Sequence, residues 1–140
     1  MRGVSVLLSI GVVVLAAAWT QPQGVTTTKS VSISFKCTTD GATMTVSPWR
    51  VTLPTRNDQV QWDVSNGSDS VSIAAKNVNR WPFSTNPPYK AKYGSPAVGR
   101  GIPSSVPAGK YQYNIIGICP RAGGVVDTVV IDPDMIIPPI

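Results

Sequence analysis

The sequence predicts an all-β protein that folds as a single β-sandwich domain. The chain has 140 residues, of which 13 are Pro and 12 are Gly, and these two residue types favour turns over long helices. All seven acidic residues are Asp, so the chain lacks Glu, which helices use freely. Residues 108–131 alternate apolar and polar side chains on both sides of a Pro and Gly turn, which predicts two antiparallel strands.

The N-terminus has the pattern of a secretory signal peptide. Arg2 precedes an uncharged apolar run over residues 4–18, and this run ends in small Ala residues of the kind that a signal peptidase requires. We therefore expect residues 1–18 to be a signal peptide and the protein to be exported, either to the periplasm or to the extracellular space. An uncleaved leader that anchors the protein in the membrane stays open as the alternative.

The rest of the chain divides into a predicted tether and a predicted domain. Residues 19–29 contain few apolar side chains that a core could bury, and they are predicted to be a flexible tether before the domain of residues 30–140. Apolar alternation and turn signals predict strands over residues 31–37, 43–46, 49–53, 59–64 and 71–75, followed by the two strands of 108–131. Asn66 and Gly67 predict a hairpin between the fourth and fifth of these strands, and residues 135–140 are predicted to trail off as an apolar tail. Trp62 is a predicted core residue.

Residues 76–107 show no periodicity and are predicted to form a functional loop. Between residues 70 and 126 seven side chains are basic and none is acidic. The candidate binding residues are the cations and aromatic residues of the loop: Lys76, Arg80, Trp81, Tyr89, Lys90, Lys92, Tyr93 and Arg100. Such residues can stack on sugar rings or bind an acidic polymer. The alternative is that Trp81, Phe83 and Tyr93 close one end of the sandwich while the lysines are only solvated.

Four segments, taken in order, resemble the cupredoxin-like family, and more narrowly its small secreted bacterial domains. These segments are DQVQW at residues 58–62, WPF at 81–83, GKYQY at 109–113 and IDPD at 131–134. The resemblance implies a Greek-key sandwich of two sheets. In copper-carrying members two His, a Cys and usually a Met hold the metal. In this chain only Cys119 could correspond to one of these ligands, and the chain has no His. We therefore expect a cupredoxin-like scaffold without copper.

No cofactor or metal is predicted. Two Cys without His leave too few ligands for structural zinc, and Asp132 and Asp134 are explained better by turn chemistry than by calcium binding. Export favours a disulfide between Cys37 and Cys119, which end two predicted strands. Two separate buried thiols, or a redox-active thiol at Cys119, remain the alternatives.

The residue content argues against an enzyme. The chain has no His, no Glu, no Gly-x-Ser-x-Gly motif and no phosphate-binding loop, so Asp alone could act as acid or base. We expect an exported, non-enzymatic binding domain that recognises an anionic or carbohydrate partner, either a protein or a polysaccharide of the cell envelope. The alternative is a structural envelope protein that contributes an edge strand or its apolar tail to a partner. Nucleic acid is not an expected partner, because export separates the protein from it.

Overall fold

The computed structural model describes residues 24–66 and 69–139 of the chain, and just over half of them lie in β-strands. Within them the strands are β1 (Thr28–Thr38), β2 (Gly41–Ser47), β3 (Arg50–Thr52), β4 (Gln59–Val64), β5 (Val71–Ala75), β6 (Tyr89–Ala91), β7 (Ala97–Gly99), β8 (Gly109–Pro120), β9 (Val126–Ile131) and β10 (Asp134–Ile137). One short 3-10 turn, Ala122–Gly124, separates β8 from β9. The predicted all-β class is confirmed. No helix in the described part of the chain is long and apolar enough to span a membrane.

The strands form two mixed sheets, consistent with a β-sandwich. The four-stranded sheet has the order β2, β1, β4, β7, in which β1 runs parallel to β4 and antiparallel to β2. The six-stranded sheet has the order β3, β10, β8, β5, β6, and β9 pairs with β8 as well. Because β8 is twelve residues long, β10 pairs with its first part and β9 with its second part.

Alternation along the long strands directs one set of side chains into the core. On β8, Tyr111, Tyr113 and Ile115 are buried, as the period-two pattern predicts. The core residues of β1 and β4 follow the same rule and are Val31, Ile33, Phe35, Val60, Trp62 and Val64. The two sheets approach so closely at Gly117 of β8 that an added methyl group there would overlap the ring of Phe35. A side chain larger than hydrogen is therefore not accommodated at Gly117 without displacing the core.

A disulfide links the two sheets at one end of the sandwich. Cys37 lies near the end of β1 and Cys119 near the end of β8, and their Cα atoms are 5.6 Å apart. The predicted bridge is confirmed. At the same end, the guanidinium of Arg121 donates a 2.7 Å hydrogen bond to the Thr39 carbonyl and pairs with the Asp127 carboxylate. With its sulfur in the bridge, Cys119 is not a free thiolate for a metal.

Two predictions about the chain path are wrong. The predicted tail of residues 135–140 is wrong over β10, where Met135 and Ile137 are buried core residues of a strand that lies between β3 and β8. Pro133 and Pro138 flank this segment, and its alternation of buried and less buried side chains is too short to stand out in the sequence. Asn66 does not begin a hairpin, since β4 and β5 belong to different sheets and the chain crosses from one sheet to the other between them. A turn signal marks a reversal of the chain, but it does not determine whether the flanking strands pair.

The predicted loop and tether also contain more regular structure than expected. Residues 76–107 include β6 and β7, each only three residues long and therefore too short to show a periodic pattern. The predicted tether of residues 19–29 is wrong at its C-terminal end, where Thr28 and Lys29 already belong to β1. The predicted signal peptide, residues 1–18, and the first part of the predicted tether, residues 19–23, lie outside the described residues.

Candidate anion-binding surface

Three cationic side chains surround one shallow cavity beside the first half of β8. Lys76, Arg80 and Lys110 line this cavity of about 150 Å³ together with Asn77, Tyr111 and Gln112. Lys76 directly follows β5, and its backbone N–H donates a 3.1 Å hydrogen bond to the Gln112 carbonyl of β8. This pairing brings the end of β5 next to Lys110. We call the three cations and their cavity the cationic surface.

A turn and an aromatic ring position Arg80 at the cationic surface. The Arg80 N–H donates to the Asn77 carbonyl at 2.9 Å, which closes a turn directly after β5. The guanidinium carbon lies 5.6 Å from the centre of the Tyr111 ring, within the range of a cation–π contact. The Tyr111 hydroxyl donates a 2.6 Å hydrogen bond to the Pro107 carbonyl, which fixes the ring. Among the described residues no carboxylate pairs with Arg80, so its donors can meet an external anion.

The two lysines of the cationic surface already bind carboxylates of the chain. Lys76 Nζ donates a 2.6 Å hydrogen bond to Asp132, and this contact holds the pKa of Asp132 below its usual range. Lys110 Nζ lies 3.8 Å from the buried carboxylate of Asp134, which also accepts a 3.0 Å hydrogen bond from Arg50. The Lys76–Asp132 pair is exposed and therefore weak, so an external anion can compete with Asp132 for Lys76.

The other predicted cations lie elsewhere. Lys90 belongs to β6 and Lys92 follows it, and both line a second depression of about 320 Å³ with Ser70 and Ser95. Arg100 follows β7 and lines neither depression. The structure thus brings Lys76 together with Arg80, and Lys90 together with Lys92, in two separate groups.

Most aromatic residues of the predicted loop pack into the fold. The ring of Trp81 is half-buried and stacks on the core residue Trp62, with ring centres 6.4 Å apart. Its indole N–H donates to the Thr85 carbonyl at 3.0 Å, and the Tyr89 hydroxyl donates to the same carbonyl at 2.6 Å. Phe83 is buried against Trp62 as well. These contacts favour a packing role for the rings over a sugar-binding platform.

Tyr93 is the exception among these aromatic residues, because 66% of its surface is exposed. It lies in a tight turn that is closed by two backbone hydrogen bonds between Lys92 and Ser95, at 3.0 and 2.9 Å. Tyr93 therefore does not close the end of the sandwich, which is the role that the packing alternative gave it.

Lys110 is the member of the cationic surface that sequence reasoning did not select. It counted toward the local excess of basic residues, but it lies on a regular strand outside residues 76–107. The pairing of β5 with β8 brings it beside Lys76 and Arg80. The available signal was its outward position in the alternation that buries Tyr111 and Tyr113.

Tyr113 is a buried tyrosine with an unusual titration. Burial raises the pKa of Tyr113 to about 12, and the indole N–H of Trp62 opposes this shift only in part. Neither the Tyr113 hydroxyl nor Trp62 Nε1 forms a hydrogen bond of standard geometry with any described residue. Their proximity is therefore better described as a polar contact inside the aromatic core than as a bond.

We expect one tyrosine of this protein to ionise only near pH 12. Since the folded pKa of Tyr113 lies above its ordinary value of 10.0, ionisation favours unfolding. The associated stability, roughly 2 to 3 kcal/mol, is complete below pH 10 and is lost as the pH rises through about 12. Tyrosinate absorbance during an alkaline titration measures this step. Tyr113→Phe should abolish it, and a late step that survives in this variant would contradict the assignment.

Comparisons with protein-family models, with curated proteins and with solved structures found no match to this chain.

Proposed function

We propose that this protein is an exported, non-enzymatic binding domain that recognises anionic groups on a polysaccharide of the cell envelope. The observation that carries the proposal is the convergence of Lys76, Arg80 and Lys110 on one cavity. Small-molecule sites usually enclose about 300 to 1,000 Å³, so a cavity of about 150 Å³ suits a single anionic group on a polymer better than a whole buried ligand.

The chemistry of the cationic surface supports an anionic partner. Lys76 and Lys110 already interact with carboxylates of the chain, so both side chains lie where a carboxylate can approach them. Arg80 adds a planar guanidinium, and such a group binds carboxylate or sulfate through two parallel hydrogen bonds. The amide side chains of Asn77 and Gln112 add neutral hydrogen-bonding groups at the rim, which suit sugar hydroxyls.

Three further observations support the export, the non-enzymatic role and the scaffold of this proposal. The disulfide is typical of proteins in oxidising compartments, which agrees with export. The two buried carboxylates in the described part of the chain have structural partners. Asp58 accepts hydrogen bonds from the Thr27 and Thr55 N–H groups, and Asp134 pairs with Arg50. These roles support a protein without a catalytic acid or base. The two mixed sheets are compatible with a cupredoxin-like scaffold, which we retain as part of the proposal.

Neutralising the cationic surface should weaken binding to dextran sulfate, a sulfated polysaccharide, by at least about tenfold. The variant is Arg80→Gln with Lys110→Gln, which removes two charges and leaves polar side chains. Fluorescence anisotropy at low salt measures the affinity, and binding should weaken further above about 0.1 M salt because exposed charges are screened.

The matched control is Lys90→Gln with Lys92→Gln, which removes the same charge from the second group. It should retain nearly all the affinity. Asp132→Asn should strengthen binding, since it frees Lys76 and removes a competing carboxylate. Equal losses in the two charge-neutralised variants would show that binding follows net charge, and the assigned surface would be wrong.

A further inference from the structure

A further cavity, of about 180 Å³, adjoins the cationic surface. Arg80 and Tyr111 line both cavities, so these two side chains form the wall between them. We call this further one the adjacent cavity. Its other lining residues come from the segment after β5 and from the segment before β8, and they are Asn79, Trp81, Ser105, Val106 and Pro107. The adjacent cavity therefore lies directly beside any anionic group that Arg80 holds.

The adjacent cavity combines hydrogen-bonding groups with apolar ones. Asn79 supplies an amide that both donates and accepts hydrogen bonds, and Ser105 supplies a hydroxyl. Val106 and Pro107 supply apolar surface. A sugar ring has hydroxyl groups around its rim and C–H groups on its faces. The two kinds of lining group therefore match the two kinds of surface that such a ring presents.

Trp81 forms a wall of the adjacent cavity and not a flat platform. Its ring stacks on Trp62, with ring centres 6.4 Å apart, and its indole N–H is held by the Thr85 carbonyl. Only the part of the indole that this packing leaves uncovered can line the cavity. A sugar ring in the adjacent cavity thus contacts Trp81 while the indole keeps its packing role.

Hydrogen bonds fix residues 103–107, which form another wall of the adjacent cavity. The Val106 N–H donates to the Pro103 carbonyl at 3.1 Å, which closes a turn. The Arg56 guanidinium donates to the carbonyls of Pro103 and Val106, at 2.6 and 3.2 Å. Because these contacts already exist, this wall does not have to become ordered when a ligand binds.

The positions of the carboxylates favour a polyanion that extends into the adjacent cavity. None of the described residues that line this cavity is acidic. At the cationic surface, by contrast, Asp132 lies against Lys76 and Asp134 lies near Lys110. A polymer that runs from the cationic surface across Arg80 therefore moves away from carboxylates that would repel its next anionic group.

We propose that the adjacent cavity binds the sugar ring next to the anionic group on the cationic surface, so that the protein distinguishes anionic polysaccharides from polyanions without sugar rings. This inference rests on the proposed function, because the anionic group must first bind beside Arg80. Each cavity is smaller than the about 300 Å³ at which small-molecule sites usually begin, which suits two neighbouring units of a polymer, one in each cavity.

Poly(vinyl sulfate), which carries sulfate groups on a hydrocarbon chain, is a polyanion without sugar rings and tests this distinction against dextran sulfate. Ser105→Leu replaces the hydroxyl with a branched apolar side chain in the adjacent cavity. It should weaken the binding of labelled dextran sulfate by at least about fivefold, and should change that of poly(vinyl sulfate) by less than about twofold. Fluorescence anisotropy at low salt measures both affinities. Ser104→Leu is the matched control, since Ser104 is exposed and does not line the cavity, and it should leave both affinities unchanged.

Backbone amide chemical shifts give a second readout on the wild-type protein. Dextran sulfate should shift the amides of Ser105 and Val106, and poly(vinyl sulfate) should not. Equal effects of Ser105→Leu on the two polymers, or no effect on either, would overturn the adjacent cavity and leave the cationic surface in place. A wild-type protein that binds neither polymer, or an Arg80→Gln with Lys110→Gln variant that keeps its affinity for both, would overturn the proposed function and this inference with it.

Discussion

Replacing Cys37 and Cys119 together with Ala should lower the free energy of unfolding by about 4 to 5 kcal/mol. The two residues are 82 positions apart, and in the chain-entropy model closing so long a loop strongly restricts the unfolded chain. Loss of the bridge also removes the covalent link between the two sheets. Guanidinium unfolding of the wild type and of the variant, monitored by tryptophan fluorescence, measures the difference.

Reduced wild-type protein is the control for this experiment. It should unfold near the same denaturant concentration as the double variant, because both lack the covalent link. If oxidised and reduced proteins instead unfold together, the bridge contributes nothing to stability and the sheets are held by packing alone.

Trp62→Ala should cost about 3 to 5 kcal/mol of stability, because it removes the largest fully buried side chain. Its ring centre lies 6.4, 6.2, 5.8 and 5.7 Å from those of four neighbours, namely Trp81, Phe83, Tyr89 and Tyr113. The cavity left behind would therefore loosen the packing of the segment after β5 as well as the sheets. Thermal and chemical unfolding measure the loss.

Tyr93→Ala is the aromatic control, since Tyr93 is exposed and outside this cluster. We expect its effect on stability to stay within about 0.5 kcal/mol. Equal losses in Trp62→Ala and Tyr93→Ala would mean that the aromatic cluster does not stabilise the core.

The parts of the fold that the sequence predicts are those governed by local alternation. β8 alternates cleanly from Tyr111 to Ile115, and its inward face was therefore predicted correctly. The same holds for Trp62 on β4. The disulfide was predicted because export favours oxidation and both Cys residues end strands.

The parts that the sequence does not predict depend on contacts between distant segments. β10 has only four residues, and its burial follows from a position between β3 and β8 that no local pattern encodes. β6 and β7 are shorter still. Lys110 was missed as a site residue for the same reason, because only the pairing of β5 with β8 brings it to Lys76 and Arg80.

The most direct test of the cationic surface is a titration of isotope-labelled protein with dextran sulfate, followed through the backbone amide chemical shifts. We predict that the largest changes occur at Lys76, Arg80 and Lys110 and that they disappear at high salt. Changes confined to Lys90 and Lys92, or spread evenly over all the cations of the chain, would contradict the assignment of this surface.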